Sequence, residues 1–419
     1  MKRIGILHYA SPPTVGGVET TIAYHARGLA NLGYSVRVIS GSGYNFDPRV
    51  ETQVNALFGS SHPEVLRVKA ELDEGVVSLQ FEKLVDQLAA DLRASLNGCD
   101  VCLAHNVPSL HKNLPLTAAL ARLEGVPIIA WCHDLAWTNP QYLPELHEAY
   151  PWTLLREQWP GVRYVTVSEA RRVELAAMLG LPPEQVTVVV PGIDPARFFH
   201  WTPMTHTLEE ELRLLDADGL LLLPARLTRR KNIALALRIL AEVRRQSGQD
   251  FRLIVTGPPG PHNPANPGYL GELLALRREL DLDGAAHFIY TYGVPDDDTM
   301  SNLYQMADAL LFPSEQEGFG IPILEAGLTG LPAFCADIPP LRHTGQDDVT
   351  FFDPVHGDPA DIARQIVETL RANPAHRLRV RVRQSYRWEV IIREQIVPLI
   401  EAEDEPAIFD DEPDSTVSR

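Results

Sequence analysis

Residues 307–336 read ADALLFPSEQEGFGIPILEAGLTGLPAFCA, and this stretch decides the fold. Ala309 to Pro313 is a short apolar run of the kind that makes a buried strand. A polar, glycine-punctuated loop follows, Ser314 to Gly320. Pro322 sits at the start of a helix, where a missing N–H leaves nothing unpaired. The helix is predicted to reach Thr329, with Gly330 as its stop, and Ala333 to Ala336 begins the next strand. The loop thus lies at the carboxyl end of a parallel strand, the edge where open α/β sheets bind ligands. Glu317 is in the loop and Glu325 is about one turn into the helix. Between them, the N–H groups of Gly318, Phe319, Gly320 and Ile321 gather at a helix N-terminus, where free amides and the dipole favour an anion. The glycines let backbone approach a ligand closely. One loop can therefore hold a phosphate on its amides and hydroxyls on its carboxylates, as a nucleotide sugar would require. The plainer alternative is a turn with two solvated acids.

E-G-F-G-I-P-I-L-E-A, with seven residues between Glu317 and Glu325, resembles the E-x7-E motif of retaining family 4 glycosyltransferases. The resemblance covers nearly the whole chain. It implies an α/β GT-B fold, two Rossmann-like domains facing across a deep cleft. In A-R-L-T-R-R-K-N, Arg226 and Lys231 match the family's R-L-x-x-x-K-[GN], a pair that binds the donor's diphosphate. Two fixed cations can stabilise a leaving nucleoside diphosphate without a metal, and basic residues opening a helix otherwise oppose its dipole. Arg229 and Arg230 read as a solvated face. G-G-V-E resembles the glycine loop of the family's N-terminal domain, which implies that Gly16 and Gly17 face the donor diphosphate; alone, it reads as a helix start. His133 stands where the family has a histidine that touches the transferred sugar, with Asp134 placed to orient it. Val294 follows a strand whose end borders the nucleobase in the family. P-G-I-D at 191–194 resembles the element where the first domain hands over to the second. D-I-P-P-L-R-H at 337–343 resembles a run that usually ends in Glu; here it ends in His343. Gly327 replaces a residue that is usually larger.

The composition narrows the partners. A chain of 419 residues with 45% apolar and 22% charged residues is an ordinary globular protein long enough for two domains. A net charge of −18 disfavours nucleic acid. The region 49–97 is mixed to acidic, which weakens any case for docking on anionic lipid. Lys2–Arg3 lead straight into a strand, so no signal peptide is expected, and no apolar run is long enough to span a bilayer. Four cysteines, Cys99, Cys102, Cys132 and Cys335, fit a reducing cytoplasm. Cys99-x-x-Cys102 lacks a second ligand pair for zinc.

Along the chain, strands are predicted at Ile4–His8, Val36–Ile39, Asp100–Ala104, Pro127–Trp131, Tyr164–Val167, Val186–Val190, Leu220–Pro224, Arg252–Thr256 and Ala286–Tyr290. Residues 49–97 read as helical. His105–Asn106 and the dense aromatics from Trp131 to Trp159, Trp137 among them, are acceptor candidates or core packing. G-P-P-G at 257–260 is another loop at the ligand edge. The D-x-D spacings at Asp281/Asp283 and Asp296/Asp298 read as solvated turns. Residues 200–219 show no sheet pattern and read as an interdomain segment. The expected divisions are an acceptor-side domain at 1–198, a donor-binding domain at 199–385, a returning helix at 386–402 and a disordered acidic tail at 403–419. The resemblance implies a retaining hexosyltransferase using UDP-, GDP- or ADP-hexose with no metal, and the acidic surface favours a small soluble acceptor such as a sugar or sugar acid. Alternatives are a sugar-nucleotide epimerase of the same fold or a non-catalytic nucleotide-sugar-binding subunit.

Overall fold

Runs of valine, isoleucine and leucine bounded by turn residues form two sheets, each parallel throughout. The structure is a computed structural model and describes residues 1–14, 16–259 and 266–402. The first sheet comprises β1 (Arg3–His8), β2 (Ser35–Ser40), β3 (Val50–Val54), β4 (Val101–His105), β5 (Ile128–Cys132), β6 (Arg163–Thr166) and β7 (Val186–Val188), in the order β3-β2-β1-β4-β5-β6-β7. The second comprises β8 (Gly219–Leu223), β9 (Phe251–Val255), β10 (Ala286–Phe288), β11 (Ala309–Phe312), β12 (Ala333–Ala336) and β13 (Thr350–Phe352), in the order β10-β9-β8-β11-β12-β13. Both are the doubly wound Rossmann order. It reverses direction between β1 and β4 in one sheet and between β8 and β11 in the other. Loops leaving neighbouring strands diverge at such a point and open a crevice at the carboxyl edge.

Strands β4, β5, β8, β11 and β12 are buried at every residue, as expected where helices cover both faces. Helix Gly17–Asn31 packs Ile22, Ala26 and Leu29 on the first sheet. Helix Ile233–Ser247 packs Ala236, Leu237, Leu240 and Val243 on the second.

The chain divides after Gly192 and again after Arg387, and the described residues from Trp388 to Ala402 rejoin the first unit. These divisions lie six residues before and two after the ones expected at 198 and 385. The returning segment packs closely: a Cβ on Gly28 would collide with Ile392, and Tyr24 stacks on Trp388 at 5.1 Å.

Two stretches differ from their sequence reading. Residues 49–97 contain β3 before their helices; it is a half-exposed edge strand, so it lacks the apolar run that marks a buried one. Residues 200–219 are not a linker. Helix Pro203–Leu212 lies there, capped by Thr202, whose Oγ1 accepts the Thr205 N–H at 3.1 Å, and Leu208, Leu214 and Leu215 enter the core of the second unit. Within the D-I-P-P-L-R-H run, a helix begins and spans Pro339–Gly345. Among the described residues no helix is long and apolar enough to cross a membrane. The tail 403–419 and Gly260 of G-P-P-G lie outside the described residues.

Candidate functional site

In the second unit the site is made by the loops leaving β8 and β11, adjacent strands at the reversal point. The β11 loop ends in Gly320, whose φ of +98° is open to glycine and strained for other residues. Helix Ile321–Leu328 then begins, with Pro322 in its first turn. Helix Pro339–Gly345 props this loop from below. A Cβ on Gly320 would come within 2.5 Å of Leu341, and Thr344 Oγ1 donates to the Phe319 carbonyl at 2.5 Å. The N–H groups of Gly318, Phe319, Gly320 and Ile321 find no protein acceptor among the described residues. His343 is exposed in the last turn of the propping helix, where a basic residue suits the dipole. Gly327 faces open space.

The β8 loop lies on the loop after β9. Gly257 N–H donates to Ala225 O at 3.0 Å, and Leu227 N–H donates to Pro258 O at 3.1 Å. A Cβ on Gly257 would sit 2.6 Å from Ala225 O and Arg226 Cα, so this approach requires glycine. Arg226 is exposed and has no acidic partner among the described residues. A 3-10 turn, Arg229–Lys231, carries Lys231 inward. Its Nζ donates to Glu317 Oε1 and lies 5.2 Å from the Phe312 ring centre. Both side chains of this ion pair are only 11% exposed, so each neutralises a charge that would be costly to leave alone. Arg230 is not merely a solvated face: it stands 3.5 Å from Glu317 Oε2 and donates to Gln316 O at 2.9 Å. Glu325 is half-buried and accepts from the Tyr304 hydroxyl at 2.5 Å. Burial first, then the neighbouring carboxylate, raise the Tyr304 pKa and keep it a donor. Val294 is exposed after Gly293.

In the first unit, Gly16 caps helix Gly17–Asn31 in extended conformation, and a Cβ there would collide with the Glu19 carboxylate. Gly17 faces open space. At the ends of β4 and β5 a buried polar cluster forms. Asn106 is left-handed at φ +59° and 2% exposed. Its Oδ1 accepts the N–H of His133 at 2.8 Å and of Asp134 at 3.2 Å. Asn106 therefore holds the loop in place, and the acceptor role expected of it finds no support in this geometry. The His133 ring bonds to His105, Nε2 to Nδ1 at 2.9 Å, and not to Asp134, which is exposed. Burial drives the pKa of His133 and of nearby His25 down to about 3, and that of His105 well below its usual value.

Trp137 stands apart from this cluster. Its Nε1 donates to Trp152 O at 3.0 Å, and its ring lies under Arg156 at 4.2 Å. With Trp152 and Trp159 it packs the core, so its expected acceptor role is likewise unsupported. Two of the D-x-D acids are structural: Asp283 pairs with Arg277 at 2.8 Å, and Asp296 caps helix Asp297–Met306. Among the described residues no three His, Cys, Asp or Glu side chains are arranged to hold a metal ion. Tyr304 and Thr344 were not legible as site residues, because each reaches its partner from a different helix with no shared motif.

Comparison with known proteins gives a consistent result. Residues 206–386 match the family described as glycosyl transferases group 1, and residues 15–197 match glycosyltransferase family 4. The chain is 31% identical to a D-inositol 3-phosphate glycosyltransferase of Kineococcus radiotolerans, over 83% of this chain and 80% of that protein. It is 25% identical to an MMP alpha-(1->4)-mannosyltransferase of Mycolicibacterium hassiacum, over 79% and 80%. A solved sucrose-phosphate synthase from Thermosynechococcus elongatus aligns over 95% of this chain and 98% of its own, with 17% identity and a TM-score of 0.39.

Proposed function

The chain belongs to the family 4 glycosyltransferases, and from that premise we propose that it moves a hexose from a nucleoside-diphosphate sugar to a hydroxyl acceptor with retention of configuration. The observation that carries this reading is the Lys231–Glu317 pair beside the unpartnered amides of Gly318 to Ile321. An ammonium has three N–H groups, so Lys231 can hold Glu317 and a phosphate oxygen together. Arg226 supplies a second cation without a competing acid. Fixed positive groups at the leaving diphosphate lower the barrier as its charge develops, and no metal is required. The acceptor oxygen bonds to the anomeric carbon as the carbon–phosphate-oxygen bond breaks. The leaving phosphate takes the acceptor's proton on the same face, which retains configuration. Glu317 positions sugar hydroxyls, Glu325 the ribose, Val294 borders the base, and His133 touches the transferred sugar. Gly16 and Gly17 face the diphosphate.

A small soluble acceptor, such as a sugar or sugar acid, suits a chain of net charge −18. All four cysteines are free and buried, in keeping with a cytoplasmic setting. The test is thermal shift with UDP-, GDP- and ADP-hexoses, since a donor that binds the folded state stabilises it by mass action. The stabilising donor is then incubated with candidate acceptors and the anomeric product read by NMR. A donor-dependent stabilisation that survives Lys231→Ala and Arg226→Ala would overturn this reading, as would an epimerised nucleotide sugar formed without acceptor.

A further inference from the structure

His105 is the last residue of β4 and is wholly buried. Its ring is sandwiched among aromatics. Trp131 stacks on it at 5.2 Å with a 17° interplanar angle, and His25 lies at 5.4 Å. His8 Nδ1 meets the His105 carbonyl at 2.7 Å and fixes the strand end. The two nitrogens of His105 then differ sharply. Nδ1 is 2.9 Å from His133 Nε2. Nε2 is buried with no hydrogen-bond partner.

A neutral imidazole carries one N–H and one bare nitrogen. A buried N–H without an acceptor is rarer and more costly than a buried acceptor without a donor. The proton of His105 therefore belongs on Nδ1, where it has an acceptor, and Nε2 stays bare. His105 then donates to His133 Nε2. That nitrogen cannot itself carry a proton, so the proton of neutral His133 is placed on Nδ1. His133 is half-buried, and its Nδ1 has no protein partner among the described residues.

Resting on the reading of His133 as the residue that touches the transferred sugar, we propose that His105 is a positioning residue that locks the His133 ring as the Nδ1–H tautomer, so that His133 offers the substrate a hydrogen-bond donor. An acceptor lone pair, as on a sugar hydroxyl oxygen, matches it. Burial of both rings keeps them uncharged near neutrality. Of the groups facing them, His8 and His25 disfavour a proton on His105, and His8 disfavours one on His133; Glu19, 3.8 Å from His8 Nε2, and Lys112 act on His8 in opposite directions. A bare nitrogen at the same place would select instead for a substrate hydroxyl that donates.

The full chain labelled with 15N-histidine reports the tautomer directly in a long-range 1H–15N correlation near pH 7, with His133 assigned from the signals lost in His133→Gln. The expected spectrum shows Nδ1 protonated and Nε2 bare for His133. His105→Leu is expected to release the ring toward its Nε2–H form and to lower kcat about tenfold with donor KM within about twofold, the loss of one hydrogen bond. His105→Asn keeps an N–H near the former Nδ1 and is expected to restore the tautomer and most of the turnover. An Nε2–H signal for His133 in the unmodified chain overturns the proposal, and that reading needs no variant to fold. A tautomer unchanged in folded His105→Leu overturns it as well. If the tautomer shifts as stated and turnover does not, the positioning role stands and the sugar-contact reading of His133 falls.

Discussion

At the carboxyl ends of β8 and β11 stand Arg226, Arg230, Lys231 and Glu317, with a row of unpartnered amides. At the carboxyl ends of β4 and β5 stand His105 and His133, bonded to each other and uncharged. The two sheets share one strand order, so the backbone offers the same kind of crevice twice. The side chains differ in what they can stabilise. The first set keeps charge fixed, which suits a group whose charge grows during reaction. The second set orients a neutral ring by burial and one hydrogen bond, which suits recognition of hydroxyls. Fold decides where a ligand sits; loop residues decide which chemistry meets it.

Breaking the charged edge is expected to have the largest effect. Lys231→Ala should lower kcat by about a hundred- to a thousandfold, as removal of an electrostatic stabiliser does. It should also reduce stability by about 1–3 kcal/mol, because Glu317 loses its close partner and keeps only Arg230 at 3.5 Å. Steady-state kinetics and denaturant unfolding separate the two. A stability loss with turnover intact would make the pair purely structural.

The backbone of that edge comes next. Gly320→Ala places a Cβ at φ +98° and against Leu341, so a loss of about 1–3 kcal/mol is expected in urea unfolding. Gly327→Ala is the control. It lies in the helix that Gly320 caps and faces open space, so it should be neutral or stabilising by up to about 1 kcal/mol. Equal losses at both would show that the strain lies elsewhere.

A smaller change is expected at Tyr304→Phe. Glu325 loses its 2.5 Å donor, and the donor KM should rise about tenfold, the equivalent of one hydrogen bond to a charged group. An unchanged KM would remove Glu325 from donor binding.

The effect that is smallest near neutral pH sharpens the neutral edge. His25 and His133 titrate near 3 when folded, below the ordinary 6.5. Between those values the unfolded chain binds more protons, so stability falls as pH drops below about 6.5 and the loss is complete near 3. His25→Phe should flatten that slope by up to one proton in pH-dependent unfolding. An unaltered slope would mean that His25 is not buried neutral.

Much of the charged edge was legible because its parts are local. Glu317, the glycines, Pro322 and Glu325 fall within one strand–loop–helix unit, and β12 occupies Ala333–Ala336 as read. Arg226 and Lys231 were legible through the family motif. On the neutral edge His133 was legible through the family resemblance, and His105 and Asn106 only as residue types at a strand end. Asn106 looked like a ligand contact, and burial with two backbone amides on its oxygen makes it a brace. Residues 200–219 looked like a linker because their apolar residues are spaced for a short helix whose partner is remote in sequence.

By itself the sequence determined the alternation of strands and helices, the family, and the acids and bases that gather at one sheet edge. These follow from periodicity and short motifs, in which each residue's role depends on near neighbours. Only the tertiary structure decided that Lys231 meets Glu317, that Tyr304 holds Glu325, and that His105 rather than Asp134 holds His133. Such pairings join residues 21 to 86 positions apart. They are set by which strands lie side by side and by which groups burial leaves without water.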